Sequence, residues 1–309
     1  IISCPQATTL FKSAKIWYNF CMQCKLCPAS CGQDRKNAPG ACGERAAMRV
    51  AKYGLHPYEE PCISCKNGSG TGFFSGCALK CVFCQNFELS RSRTGKEVTP
   101  RELARIFAEL EEMGAENINL VTASHFTPQL IATFALHRPK IPVVYNTHAY
   151  EKMEAVRALD QYVDVWLPDL KYYSPRVSER YTGRADYFEY ASRAVAFMAQ
   201  RKPVFEGGKM LSGCIVRHLV LPLCSGDSLQ IVKWFAALKS PAYLSLMGQY
   251  TPCGDIAAFP ELQRKITRRE YRRVLDCAEA EGIENLFAQE LASAAENFIP
   301  DFSDTRPLF

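Results

Sequence analysis

The chain lacks any apolar stretch of the ~18–20 residues that a transmembrane helix requires, so nothing in it reads as a membrane span. It lacks a strong charge of either sign. Lys and Arg number 37 against 32 Asp and Glu, a formal +5, too mild to argue for nucleic acid. The one basic run, Arg264, Lys265, Arg268, Arg269, Arg272 and Arg273, has no interleaved aromatics and no known binding motif. It reads first as a solvated helix face and second as a docking surface for an acidic protein. Low-complexity sequence is absent. The opening Ile1-Ile2-Ser3-Cys4-Pro5 has no initiator Met and no charged n-region, so no signal peptide is visible, and the missing Met leaves open a segment lost before Ile1. What remains is ordinary for a globular protein, 48% hydrophobic and 22% charged. Its 309 residues suffice for one large α/β domain with a small appendage.

Cysteine is the exception, with 15 in the chain. In a small secreted protein such a number would suggest disulfides. Here the residues cluster in metal-like spacings in a mid-sized chain, which points to a reducing cytoplasm. The sharpest group is Cys77-Ala78-Leu79-Lys80-Cys81-Val82-Phe83-Cys84, a Cys-x3-Cys-x2-Cys loop. A short loop of three thiolates suits three irons of a 4Fe–4S cubane and leaves the fourth iron open to a small molecule. Three cysteines packing as small hydrophobes fit poorly beside Gly76, Lys80, Gln85 and Asn86, and a zinc knuckle would want a fourth ligand close by.

A second group, Cys21, Cys24, Cys27 and Cys31 with Cys42 beyond, sits among turn signals at Pro28, Gly32, Gly40 and Gly43. Four or five thiols in such a stretch suit one zinc or a second cluster, which spacing does not separate; reduced, non-ligating thiols are the alternative. From residue 71 onward, short apolar runs alternate with amphipathic stretches. Strands are expected over 71–75, 117–122, 141–146, 163–167, 215–221 and 242–247. Helices are expected over 100–113, 128–137, 150–159, 185–200, 228–238 and 267–281, with a final apolar run at 285–289. Thr99-Pro100 has the chemistry of an N-cap and first helical residue. The alternation predicts an α/β fold with a parallel sheet, either a partial (β/α)6 barrel or a doubly wound open sheet. Ligands gather where such strands end. The candidates there are Thr122 and Ser124, Asn146 and Thr147, Asp169 and Lys171, and Arg217, with Met247-Gly248-Gln249-Tyr250 facing a substrate. Asp169 and Lys171 would suit a zwitterion. His218, next to Arg217 on an extended strand, would face away from the site.

The string Gly70-Thr71-Gly72-Phe73-Phe74-Ser75-Gly76-Cys77 through Cys84-Gln85-Asn86 resembles the radical S-adenosylmethionine (radical SAM) superfamily, with Phe83 as its aromatic before the third Cys. Within it the chain is similar to homologues of the pyruvate formate-lyase activating enzyme, over about residues 24–289. The resemblance implies the partial (β/α)6 barrel as core domain over 66–290, a cysteine-rich N-terminal segment over 1–65 and an extension over 291–309. It implies a 4Fe–4S cluster on Cys77, Cys81 and Cys84, and S-adenosylmethionine against Phe83, Asn86, Thr122, Ser124, Asn146, Thr147, Asp169, Lys171 and Arg217. It singles out Cys24, Cys27, Cys31 and Cys42 as the second ligand set, with Cys21 spare. The chain departs from the family at Thr122-Ala123-Ser124, where a Gly-Gly-Glu-like stretch is usual, at Asn146, where Asp stands, and at Cys65, where Gly is expected after Glu59-Glu60-Pro61-Cys62. The implied chemistry is reductive cleavage of S-adenosylmethionine to a 5′-deoxyadenosyl radical that abstracts hydrogen. The implied substrate is a glycine Cα in a partner glycyl-radical enzyme; another protein, a peptide or a small molecule is the alternative. Flavodoxin or ferredoxin would donate the electron. A non-enzymatic redox protein is the competing class, and a scaffold of that kind would not need the polar set at the strand ends.

Overall fold

The computed structural model describes residues 23–288; Cys21 and the 291–309 extension lie outside them. The elements run β1 (Met48–His56), α1 (Pro61–Ser64), β2 (Ser69–Phe74), α2 (Phe87–Arg91), β3 (Lys96–Val98), α3 (Pro100–Glu112), β4 (Ile118–Val121) and α4 (Thr127–Leu136). They continue with β5 (Val143–Thr147), α5 (Met153–Leu159), β6 (Val165–Pro168), α6 (Pro175–Thr182), α7 (Tyr187–Met198) and β7 (Val204–Glu206). The last are β8 (Lys209–Leu219), α8 (Ser225–Ala237), β9 (Tyr243–Met247), α9 (Arg268–Ala280) and β10 (Leu286–Ala288).

Strands β2, β4, β5 and β6 are buried at every position, as central strands of a parallel sheet must be when both faces are covered. The parallel ladder runs β2-β4-β5-β6-β8-β9-β10 in unbroken chain order. That order decides between the two predicted architectures. A doubly wound sheet reverses its strand order at a switch point; a singly wound sheet does not, and curls as an open, partial barrel. The six predicted parallel strands are all present, and the terminal apolar run supplies a seventh, β10. On the opposite edge β1 pairs antiparallel with β2 and β3.

Local chemistry sets the helix boundaries. Thr99 and Glu102 close a capping box at α3, and Thr267 and Glu270 another at α9. The helix predicted from 150 begins only at Met153, because Ala149 turns at φ +59° and the Tyr150 N–H is spent on His148 Nδ1 at 3.0 Å. Strand β8 starts six residues before its predicted position because Gly207 and Gly208, both at positive φ, fold it back on β7. The basic run lies on and before α9, where Arg264 pairs with Glu270 and Arg272 with Asp276.

The stretch from 57 to 65 is more than a linker. It crosses the inner face of the sheet, where Cys62 packs with Val144, Val165, Leu167, Met210 and Ile215. Asn117 Nδ2 donates to the Ile63 carbonyl at 2.7 Å to fix it there. The crossing ends at Cys65 with φ +47°, ψ −128°, a conformation that costs an L-residue of order 1–3 kcal/mol. The Gly that the sequence resemblance implies at this position has a physical reason. Cys65→Gly is expected to raise stability by about 1 kcal/mol after the larger chain entropy of Gly is subtracted, read as a higher urea midpoint at unchanged m. A lower midpoint would mean that the Cys65 thiol, 3.6 Å from the Cys62 carbonyl, holds the turn instead.

Candidate active site

Side chains alternate across a strand, and the residues that share the inner face end in one cleft. Its wall includes Phe73, Val121, Asn146, Asp169, Arg217, Leu219, Met247 and Gln249, with the cysteine loop on one side and His56, Tyr58 and Glu59 on another. Arg217 ties the wall together. Its Nε donates to Asp169 Oδ1 at 2.7 Å, Nη1 to Glu59 Oε2 at 2.9 Å and Nη2 to Asn146 Oδ1 at 2.6 Å. The second Glu59 oxygen accepts from Asn119 and Asn146, each at 3.0 Å. Lys171 Nζ reaches the other Asp169 oxygen at 2.8 Å.

The charges are set by this arrangement. Burial alone would raise the Asp169 carboxyl, but Arg217 and Lys171 outweigh it and hold the group below its ordinary value, ionised. Burial alone would lower Lys171, but Asp169, Cys81 and Cys84 push it up. Burial likewise opposes the Arg217 charge, and Asp169, Glu60 and Glu59 together keep it firmly protonated. Glu60, beside them, is raised by burial against the pull of Arg217. Its Oε2 has no hydrogen bond and lies 3.9 Å from Arg217 Nη1.

Cys77, Cys81 and Cys84 face the same cleft. Burial, together with Cys81, pushes the Cys77 thiol up to about 11, and burial with Cys81 and Cys77 pushes Cys84 up to about 12. Lys171 acts on all three in the opposite sense. Tyr172 donates to Cys81 Sγ at 3.6 Å. Among the described residues no three His, Cys, Asp or Glu side chains close around a single-ion position. A cubane does not require that, since each thiolate binds its own iron. A buried three-thiol loop with a cation and a hydroxyl directed at it suits an anionic cluster.

The structure brings together most of the residues predicted for this site. Phe83, Asn86, Thr122, Asn146, Asp169, Lys171 and Arg217 line the cleft. Thr122 holds φ +57°, its N–H on the Asn146 carbonyl at 3.0 Å. Ser124 and Thr147 lie behind the wall. Ser124 Oγ sits 3.4 Å from Nε2 of His148, which does line the cleft. Thr147 follows Asn146 on an extended strand and so takes the outer face, where it donates to Glu151. His218 faces outward as predicted, between the Leu170 carbonyl at 2.7 Å and Ser228 at 2.8 Å. Sequence reasoning missed Glu59 and Glu60, although the Glu-Glu-Pro-Cys stretch was the available signal, and it missed His56, Tyr58 and His148.

The N-terminal cysteines form a second neighbourhood. Burial raises Cys27 to about 11, and Cys42, Cys24 and Cys31 add to the rise. Their loop joins the first: the Cys77 N–H donates to the Cys42 carbonyl at 3.0 Å. Arg35 is fully buried beside the N-terminal cysteines. Its guanidinium donates to the carbonyls of Glu44, His125 and Arg45 at 3.2, 2.7 and 2.6 Å, and lies 4.0 Å from Cys24 Sγ.

Three thiols open on a charged cleft at the strand ends. The family model described as the radical SAM superfamily matches residues 72–211, from β2 through the cysteine loop into β8. This segment is similar to the radical SAM superfamily, whose cofactors are a 4Fe–4S cluster and S-adenosylmethionine. An uncharacterized protein of Methanocaldococcus jannaschii is 27% identical over 282 residues, 87% of this chain and 78% of that one. Among solved structures, Streptococcus suis SuiB bound to S-adenosylmethionine aligns at 16% identity and TM-score 0.48 over 71% of this chain, and the alignment covers 49% of SuiB. A domain of the pyruvate-formate lyase-activating enzyme from Bacteroides vulgatus aligns at 11% identity and TM-score 0.37, over 62% of this chain and 91% of that one. Among the described residues no helix is long and apolar enough to cross a membrane.

Glu151 offers a test of the outer wall. Burial pushes its carboxyl up to about 7, against the Thr147 hydroxyl and against Tyr145, whose OH donates at 3.2 Å. The folded state therefore binds this proton more tightly than the unfolded chain does. Its stabilising contribution is complete below about pH 4.3 and is lost as pH rises through about 7. Glu151→Gln should flatten that decline in thermal-unfolding curves recorded from pH 4 to 8. An unchanged slope would assign the decline to another group.

Proposed function

We propose that the cleft holds S-adenosylmethionine against a 4Fe–4S cluster carried by Cys77, Cys81 and Cys84, and that hydrogen is taken from a protein or peptide. A glycine Cα of a partner glycyl-radical enzyme is the case that the sequence resemblance favours. The observation that carries this reading is the meeting, in one cleft, of the three-thiol loop with the Asp169–Lys171–Arg217 ion set. When bound, the cluster and S-adenosylmethionine together supply reductive cleavage of a C–S bond and the hydrogen-abstracting power that follows from it.

The chain's own residues bind and orient. Lys171 keeps N–H groups beyond its Asp169 bond for a ligand carboxylate. Asp169 and Asn146 offer acceptors to an ammonium. Arg217 holds both acceptors rigid through its bonds to them. The carbonyl side of Thr122 lies alongside, and Ser124 acts through His148. Phe73, Val121, Phe83 and Leu219 form an apolar wall that excludes water and stray hydrogen donors. Tyr58, half exposed at the mouth, gives a substrate its first aromatic contact. The electron would come from a low-potential carrier such as flavodoxin or ferredoxin. The described cysteines are all free thiols, which suits the reducing cytoplasm.

Anaerobic reconstitution followed by dithionite reduction should yield 5′-deoxyadenosine and methionine, and replacing the three cysteines by Ala should abolish both the cleavage and the reduced-cluster EPR signal. Lys171→Ala should retain the cluster but weaken S-adenosylmethionine binding roughly 10- to 150-fold, the loss of one charged hydrogen bond of ~1.5–3 kcal/mol. An analogue without the carboxylate should be penalised less. Equal penalties would put Lys171 outside the methionine subsite. A glycyl-radical EPR signal on an added partner enzyme would identify the substrate class, and its absence with every such partner would favour a different peptide or protein.

A second metal or cluster on Cys24, Cys27, Cys31 and Cys42 belongs to the same reading, and these thiols would have to draw together to hold a single ion. Burying the Arg35 cation among neutral carbonyls is costly without an anion nearby, and metal-bound thiolates would supply one. Replacing Cys27 and Cys31 together should lower zinc, or iron beyond the first cluster, in freshly purified protein. Metal content confined to the first cluster in the unaltered protein would remove this assignment.

A further inference from the structure

Tyr172 follows Lys171 out of β6 and is fully buried. Its ring stands edge-on to Phe83 at 6.4 Å and to Tyr187 at 5.3 Å, and tilted against Tyr181 at 6.3 Å. The hydroxyls of this aromatic nest differ in one respect. Tyr187 donates to the Asp169 carbonyl at 2.8 Å, Tyr250 to the Leu262 carbonyl at 2.7 Å and Tyr181 to Glu261 at 3.0 Å, so each has an oxygen acceptor, although Tyr181 also lies 3.7 Å from Cys224 Sγ. Tyr172 donates to sulfur, Cys81 Sγ at 3.6 Å, and this is the hydrogen bond the structure gives it. A neutral thiol is a weak acceptor, a poor match for a hydroxyl with no access to water. A thiolate bound to iron is anionic and a much better one.

We propose that Tyr172 is a positioning residue for the cluster: its hydroxyl bonds the Cys81 sulfur and raises the cluster's reduction potential. Reduction adds one electron to the cluster and makes its sulfurs more negative. A fixed O–H dipole directed at one of them therefore favours the reduced state over the oxidised state, and hydrogen bonds to sulfur are among the levers that set such potentials. Packing alone does not explain the residue, since Phe would fill the same nest. The inference rests on Cys81 being a cluster ligand.

The test is a redox titration of the reconstituted holoprotein, without S-adenosylmethionine, followed by EPR of the reduced cluster. Tyr172→Phe should retain its iron and be about tenfold harder to reduce, ~59 mV more negative for one electron. Tyr181→Phe removes a hydroxyl from the same nest that bonds Glu261, and its potential should equal that of the unaltered protein. An unshifted Tyr172→Phe with full iron content overturns the proposal, as does an equal shift in both variants. Where Tyr172→Phe fails to hold the cluster, 3-fluorotyrosine at position 172 decides. It retains the ring and strengthens the donor, so the potential should move positive; no movement overturns the proposal. Failure of the ligand assignment is seen separately, as a reduced-cluster signal that survives loss of Cys77, Cys81 and Cys84.

Discussion

One guanidinium organises the cleft. Arg217 spends its donors on Asp169, Glu59 and Asn146, three acceptors from three separate stretches of chain. The planar fork of Arg fits several fixed acceptors at once, which Lys could not do. A buried cation of this kind is tolerable only when its acceptors are held in place, so β5, the end of β6, β8 and the crossing segment before α1 are mutually fixed. The result is a rigid rim that leaves Lys171 facing the cysteine loop with part of its charge unspent. A ligand that carries both an acid and an amine finds partners already in place, and little ordering remains to oppose binding.

The crossing segment explains how the rim is supplied. An open barrel has an interior that something must fill. Here it is filled from the chain's own N-terminal side: Cys62 packs below and Glu59 rises above to meet Arg217. The cysteine-rich loop before it is joined to the first cysteine of the cluster loop through the Cys42 carbonyl. The N-terminal segment and the three-cysteine loop are therefore coupled by direct backbone contact, and Arg35 ties the segment to the His125 carbonyl as well.

Around the cluster loop, the neighbours divide the work. Phe83 and the tyrosines against it pack around the three thiols, the Lys171 charge acts on them, and the Tyr172 hydroxyl is directed at Cys81. Lys171 and Tyr172 are consecutive, so on the proposed reading the short stretch after β6 would serve the ligand subsite and the cluster together. This economy follows from the barrel, in which every strand end looks into the same space.

Much of this was legible in the sequence. The Cys-x3-Cys-x2-Cys spacing is local chemistry and needs no fold to be read. The apolar runs fixed the parallel strands, because a strand buried on both faces has little choice of residue. The strand-end positions of Asn146, Asp169, Lys171 and Arg217 followed from that pattern. Tertiary structure decided the rest. Whether the sheet reverses depends on strand order, which crossover lengths do not encode. Thr147 and Asn146 are adjacent in sequence, yet the pleat sends one behind the wall and the other into the cleft. Glu59 and Glu60 lie in a segment that reads as a linker, and only its path across the inner face brings Glu59 to Arg217, a contact spanning 158 residues of chain. Tyr172 could be read from sequence only as one more core aromatic. Its meeting with Cys81, 91 residues away, exists because the barrel brings the end of β6 against the loop that follows β2.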